Sequence, residues 1–160
     1  MPEDFNSIYR SINDRVRKRV SKLINNGYEQ AALGTLDKSN FPFVSKIIPM
    51  FFEGDIYLLL SDLSEHTRNI GCNPVVSIYY AKQEEHKTKS NNPRLTLQGK
   101  LVKLQLAKEG VEFKLLIEKY NQIDFGSDLW AYFDDFNFYK FEEKRKLYVE
   151  GFAQAYEESV

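Results

Sequence analysis

Cysteine is almost missing from this chain. Its single thiol, Cys72, excludes an intramolecular disulfide, and a reducing, cytoplasmic location is the expectation. Histidine is nearly as scarce. His66 and His86 are the only two, too few beside one cysteine for a four-ligand zinc site, so no metal site is expected. No charge sign dominates: 22 Lys and Arg stand against 23 Asp and Glu, a formal net charge of -1. That balance argues against a dedicated nucleic-acid binder. No apolar run approaches bilayer length, residues 56–60 being typical of the longest, so no membrane partner is expected. The opening Met1-Pro2-Glu3-Asp4 is acidic, unlike a targeting segment. Internal repeats, low-complexity tracts, a Gly-x-Ser-x-Gly elbow and a glycine-rich phosphate loop are all missing.

What is abundant is aromatic: 14% of the chain, with 12 Phe and 10 Tyr. These residues favour strands and surfaces for flat ligands. A length of 160 residues suits one domain. Such a chain buries about two-thirds of its unfolded surface.

Residues 5–24 have helical periodicity. Phe5, Ile8, Ile12, Val16, Val20 and Leu23 fall on one face, and Arg10, Arg15, Arg17, Lys18, Arg19 and Lys22 on the other. The basic face reads first as a solvated surface and second as a contact for an anionic partner. The period then shortens. Strands are expected over 29–36, 42–52, 56–60, 75–81, 94–104, 137–142 and 146–152. Turns are expected at 37–40, at Glu53-Gly54-Asp55 and at Glu143-Lys144-Arg145. Helices are expected over 64–71 and 107–120, with a helical turn at 127–133 and a polar loop over 82–92. Short links between successive strands imply an antiparallel sheet, and a sheet of this size commonly closes on itself. The expected class is α+β with an antiparallel barrel.

The segment from Leu60 to Ile70 is the most informative. A strand ends, a short helix begins, and the free N–H groups of a helix start attract anions. Ser61, His66, Thr67 and Arg68 bring further donors to the same turn. Capping by Asp62 or Ser64 accounts for the polar residues equally well. Lys46 lies within the apolar run Val44-Ser45-Lys46-Ile47-Ile48-Pro49, and must reach water or an anion. Gln98 is an amide in another apolar strand, suited to a heterocycle edge or to a neighbouring backbone.

These segments resemble the pyridoxamine 5'-phosphate oxidase-like, FMN-binding split-barrel superfamily. The residues that carry the likeness are Phe41-Pro42-Phe43-Val44-Ser45-Lys46, then Leu63-Ser64-Glu65-His66-Thr67-Arg68-Asn69-Ile70, then Asn73-Pro74-Val75-Val76-Ser77-Ile78. The His-Thr-Arg-Asn run, Arg94-Leu95-Thr96-Leu97-Gln98-Gly99, Asp135-Phe136-Asn137-Phe138-Tyr139 and the closing Tyr148–Ala155 segment are similar to the HugZ-type haem-utilisation branch. The resemblance implies an antiparallel split β-barrel over 27–160, preceded by the helix of 1–26. It implies a homodimer with cofactor sites at the interface and a small-molecule substrate. FMN would lie against Ser45, Lys46 and Ile47. Its phosphate would meet Ser61, His66, Thr67, Arg68 and Asn69, and Gln98 would approach from the partner subunit. Many oxidase relatives have a phosphate-binding lysine where this chain has His66. The haem-utilisation branch implies haem as ligand or substrate, with oxidative ring opening. In some members a C-terminal tail supplies the axial histidine. Here no histidine follows His86, which leaves His86, His66, Tyr148 or no protein ligand. His86 reads first as a solvated loop residue and only then as a haem ligand. The expected activity is an FMN-dependent oxidoreductase acting in haem utilisation. The alternative is a non-catalytic flavin- or haem-binding interaction protein.

Overall fold

A computed structural model describes residues 8–160. Residues 1–7, where the helical periodicity begins, lie outside the described residues. Among the described residues the first regular element is a two-residue strand, β1 (Arg10–Ser11), not a helix. Helix α1 (Asp14–Lys22) starts at Asn13, whose side-chain oxygen accepts from the Val16 N–H at 3.0 Å. The helix ends in a turn where Asn26 adopts a φ of 65°, which asparagine tolerates well.

Strands β2 (Gln30–Leu36) and β3 (Pro42–Ile47) form an antiparallel hairpin. The strand expected over 42–52 is broken. Pro49 has no N–H to give to a ladder, and β4 (Met50–Phe52) pairs instead with β5 (Asp55–Ser61). Two buried phenols hold the break: Tyr28 donates to the Pro49 carbonyl at 2.9 Å and Tyr120 to the Ile48 carbonyl at 3.1 Å. Helix α2 (Glu65–Cys72) leads into β6 (Val75–Ala81) and β7 (Arg94–Lys103), an antiparallel pair. The polar loop between them is organised by Asn92, which accepts from the Glu85 and His86 N–H groups. Helix α3 (Val111–Ile123) begins later than its periodicity suggested.

Two strands were expected near the C-terminus, joined by a turn at Glu143-Lys144-Arg145. The structure instead has one 16-residue strand, β8 (Phe136–Gly151), and then β9 (Gln154–Ser159). The supposed turn is a bulge. Gln98 pairs with Arg145 and Gly99 with Glu143, so Lys144 is the extra residue. Pairing with the ten-residue β7 keeps the chain extended across three charged residues.

The sheet order is β1-β9-β8-β7-β6-β2-β3, with β5 on the first half of β8 and β4 beyond it. Leu33, Ile78, Leu95 and Leu97 fill the interior of the split barrel, together with Val16 of α1. A second apolar cluster lies under α3, where Phe113, Leu116, Ile117 and Tyr120 meet Met50, Leu59 and Phe138. β5 feeds both clusters by alternation, Leu58 and Leu60 to one and Leu59 to the other. No helix among the described residues is long and apolar enough to cross a membrane.

Candidate functional site

The strand break at Ile48-Pro49 and the start of α2 bound a cavity of about 400 Å³. Lys46, Ile47, Ser61, Ser64 and His66 line one part of it, and Tyr120, Asp124, Trp130 and Phe136 another. Ser45 shares a ladder position with Leu33 and points to the same, inner side of the sheet. Its hydroxyl lies 2.8 Å from Nδ1 of His66. His66 is half-buried, and desolvation lowers its pKa below the ordinary histidine value. That desolvation favours the neutral imidazole, and Lys46 lines the same cavity.

The turn before α2 is tied to the start of β8. The Ser61 hydroxyl donates to Asp135 Oδ2 at 2.6 Å and accepts from the Leu63 N–H at 3.1 Å. The Asp62 N–H donates to the Asp135 carbonyl at 2.7 Å. Ser64 caps α2 without a side-chain bond, which leaves the first helical N–H groups open to another acceptor. The opposite wall is aromatic: the Trp130 and Phe136 rings lie 4.6 Å apart, tilted by 48°. The burial of Tyr120 raises its phenol pKa, so it remains a neutral donor.

The residues proposed from sequence separate into two groups. Ser45, Lys46, Ile47, Ser61 and His66 converge on this cavity. Thr67, Arg68, Asn69 and Gln98 do not line it. Thr67 is buried, and its hydroxyl has no hydrogen-bond partner. Asn69 is buried and donates to Thr35 Oγ1 at 3.0 Å, which ties α2 to β2. Arg68 faces solvent. Gln98 stands on the outer face of the sheet and accepts from Arg145 at 3.3 Å. It lies three strands from β3, roughly 14 Å at ordinary strand spacing. His86 is exposed and lines a different cavity.

Sequence reasoning missed Tyr120, Asp124, Trp130 and Asp135. The one available signal was Trp130, the chain's only tryptophan, in the expected helical turn.

The donor set fits an anionic head group. A cation, an imidazole and open helix N–H groups line one part, with the tilted Trp130 and Phe136 rings and Asp124 in the other. That arrangement suits the phosphate of FMN or a propionate of haem.

Comparisons with known proteins agree with this fold. HutZ of Vibrio cholerae, described as a haem oxygenase, is 27% identical over 79% of this chain and 72% of its own length. Its solved structure, described as that of a haem storage protein, superposes with a TM-score of 0.65 at 21% identity, covering 79% of this chain and 89% of that one. ChuZ of Campylobacter jejuni superposes with a TM-score of 0.79 at 24% identity over 94% of this chain. This chain spans only 61% of ChuZ. A pyridoxinephosphate oxidase family protein from Clostridium acetobutylicum gives a TM-score of 0.68 at 14% identity, covering 93% and 97% of the two chains. The sequence resembles a haem-utilisation relative, HutZ, and the fold resembles both haem-utilisation and oxidase-family split barrels. Residues 24–157 match the family described as "CREG, beta-barrel", and over that span, most of its length, the protein belongs to the CREG β-barrel family.

Proposed function

We propose that the protein binds haem at the Lys46–His66 cavity and acts in haem utilisation. The observation that carries the reading is the pairing of an anion-binding end, Lys46 and His66, with the Trp130–Phe136 wall in one cavity. A flat macrocycle with carboxylates needs both. The relation to HutZ supports the same class of ligand. Bound haem supplies the redox chemistry, and the chain's residues hold and orient it. Lys46 and His66 receive a propionate, and Ser45 keeps the imidazole in place through Nδ1. His86, on another cavity, is not a ligand for this site.

FMN is the second reading. The open first turn of α2 beside Lys46 and His66 suits a single phosphate. A homodimer belongs to both readings. The outer sheet face carries exposed Val44, 69% accessible, with Val75, Tyr79 and Val102. Exposed apolar side chains on one sheet face suit a protein contact, here interspersed with Ser77, Gln98 and Lys100. A partner would bring Gln98 toward the cavity.

Titration with haem is expected to give a Soret band that weakens in the Lys46→Ala/His66→Ala double variant. No band, or unchanged affinity in the variant, overturns the reading. A band that decays with reductant makes the protein a haem-degrading oxygenase, and a stable band makes it a binding protein. An FMN titration run in parallel separates the second reading. Light scattering of the protein and of its Val44→Glu variant tests the dimer.

A further inference from the structure

A cavity of about 920 Å³ shares no lining residue with the Lys46–His66 cavity. It lies where α1 meets the β8–β9 hairpin and the 82–92 loop. Its charge is lopsided. Arg10, Arg15, Arg19, Lys22 and Lys82 face only two carboxylates, Glu85 and Glu150. The neighbouring groove on the other flank of α1 gives a built-in contrast. There Arg17, Lys140 and Lys146 meet Asp55, Glu142 and Glu143, and the charges balance.

Glu150, only 10% accessible, holds two guanidiniums at once. Arg15 Nη1 donates to it at 2.9 Å, and Arg19 forms a second ion pair with the same carboxylate. Arg15 also donates to the Tyr156 hydroxyl at 3.1 Å. One carboxylate shared by two arginines orients both forks without neutralising both. Lys82 pairs with Glu85 at 3.6 Å, while Arg10 and Lys22 have no ion pair among the described residues. Fixing α1 to β8 accounts for one arginine on Glu150, and not for the remaining cations. The rim carries Phe152, 82% accessible, on the turn between β8 and β9. An aromatic ring so exposed beside clustered cations suits a ligand with an apolar body. The volume lies in the range of small-molecule sites.

We propose that this cavity is a second ligand site, for an organic anion that carries at least two carboxylate or phosphate groups on an apolar body. Arg10, Lys22 and the Glu150-oriented arginines bind the charged groups, and Phe152 covers the body. The site is independent of the haem reading.

The test is calorimetric titration of the full chain with pyrophosphate, ATP, citrate and biliverdin. The first two probe phosphates, the last two carboxylates. At least one probe is expected to bind in the sub-millimolar range, roughly the affinity of a modest small-ligand contact. The Arg10→Glu/Lys22→Glu double variant should weaken it at least about tenfold, and added salt should weaken it too. Glu150→Gln, which removes a carboxylate and keeps an acceptor, should tighten it, a gain that misfolding cannot mimic. Phe152→Ala should weaken ATP or biliverdin more than pyrophosphate or citrate. Lys46→Ala/His66→Ala should leave pyrophosphate, ATP and citrate unchanged. The proposal is overturned by no measurable binding of any probe, by equal binding in the Arg10/Lys22 variant, by unaltered or weaker binding in Glu150→Gln, or by loss of pyrophosphate, ATP or citrate binding in Lys46→Ala/His66→Ala.

Discussion

The two cavities of this barrel differ in size, charge and construction. The Lys46–His66 cavity is small, lined by a lysine and by an imidazole whose burial favours the neutral form, with Trp130 and Phe136 opposite. The cavity beside α1 is more than twice as large and crowded with permanent cations. The first is assembled from distant chain segments, β3, the α2 turn and the α3–β8 connection. The second also joins distant segments, β1, α1, the 82–92 loop and the β8–β9 hairpin, but draws most of its charge from α1. The lesson is about how each responds to its surroundings. A half-buried imidazole is governed by desolvation and answers to pH. Exposed arginines and lysines hold their charge and answer to salt.

The largest expected effect removes the frame that both cavities share. A methyl group at Gly99 would lie 2.0 Å from the Glu142 carbonyl oxygen and within 3 Å of the Phe141 ring. Gly99→Ala should therefore disrupt the β7–β8 pairing at the bulge, at a cost of about 3 kcal/mol or more. A lowered denaturation midpoint, with both kinds of ligand lost together, is the expected result. Wild-type stability would show that the bulge relaxes freely.

The next separates the cavities by charge. Glu150→Gln leaves Arg15 and Arg19 facing each other with no carboxylate between them. Stability should fall by about 1–2 kcal/mol in urea denaturation, while haem binding at the other cavity is unchanged. Asn69→Ala acts on the opposite side. It strips Thr35 of its buried donor and should cost about 1–2 kcal/mol without altering anion binding beside α1.

The smallest and most discriminating effect is that of pH. The folded pKa of His66 lies below the unfolded value of about 6.5. Between those two values the unfolded chain binds more protons. Stability should therefore fall as pH drops from about 6.5 toward the folded pKa, and His66→Gln should flatten that slope. Anion binding favours the protonated ring, so haem affinity should rise as pH falls through the same window. Measured in a His86→Gln background, His66 is the only imidazole left. A slope unchanged by His66→Gln would place the titrating group elsewhere.

Most of the strand pattern was legible because each strand has one face in the core. Ala31, Leu33 and Thr35 alternate, as do Val76, Ile78 and Tyr80, and period two is visible without a partner. The errors fell where pairing overrode local signals. Glu143-Lys144-Arg145 looks like a turn by composition, yet β7 runs past it and makes it a bulge. Arg10 has helical periodicity, yet the edge of β9 draws it into a parallel pair with Tyr156. Lys46 and His66, singled out by an apolar strand and a helix start, line the candidate cavity. Thr67 and Asn69 lie in the same run but are buried, and the sequence does not say which polar residues a helix turns inward.

The sequence by itself determined the class of fold, the scarcity of histidine and cysteine, and the one basic helix face. All of these rest on residue type and periodicity, which need no neighbour. Only the tertiary structure decided where those charges went. It divided the basic face of α1 between two carboxylates of the C-terminal hairpin, Arg15 and Arg19 pairing with Glu150 and Arg17 with Glu158. It placed Ser45 against His66 and moved Gln98 to the outer surface, since the side of a sheet that a residue faces depends on register. Charge is a property of the residue, but a binding site is a property of distances, and those exist only once the chain has folded.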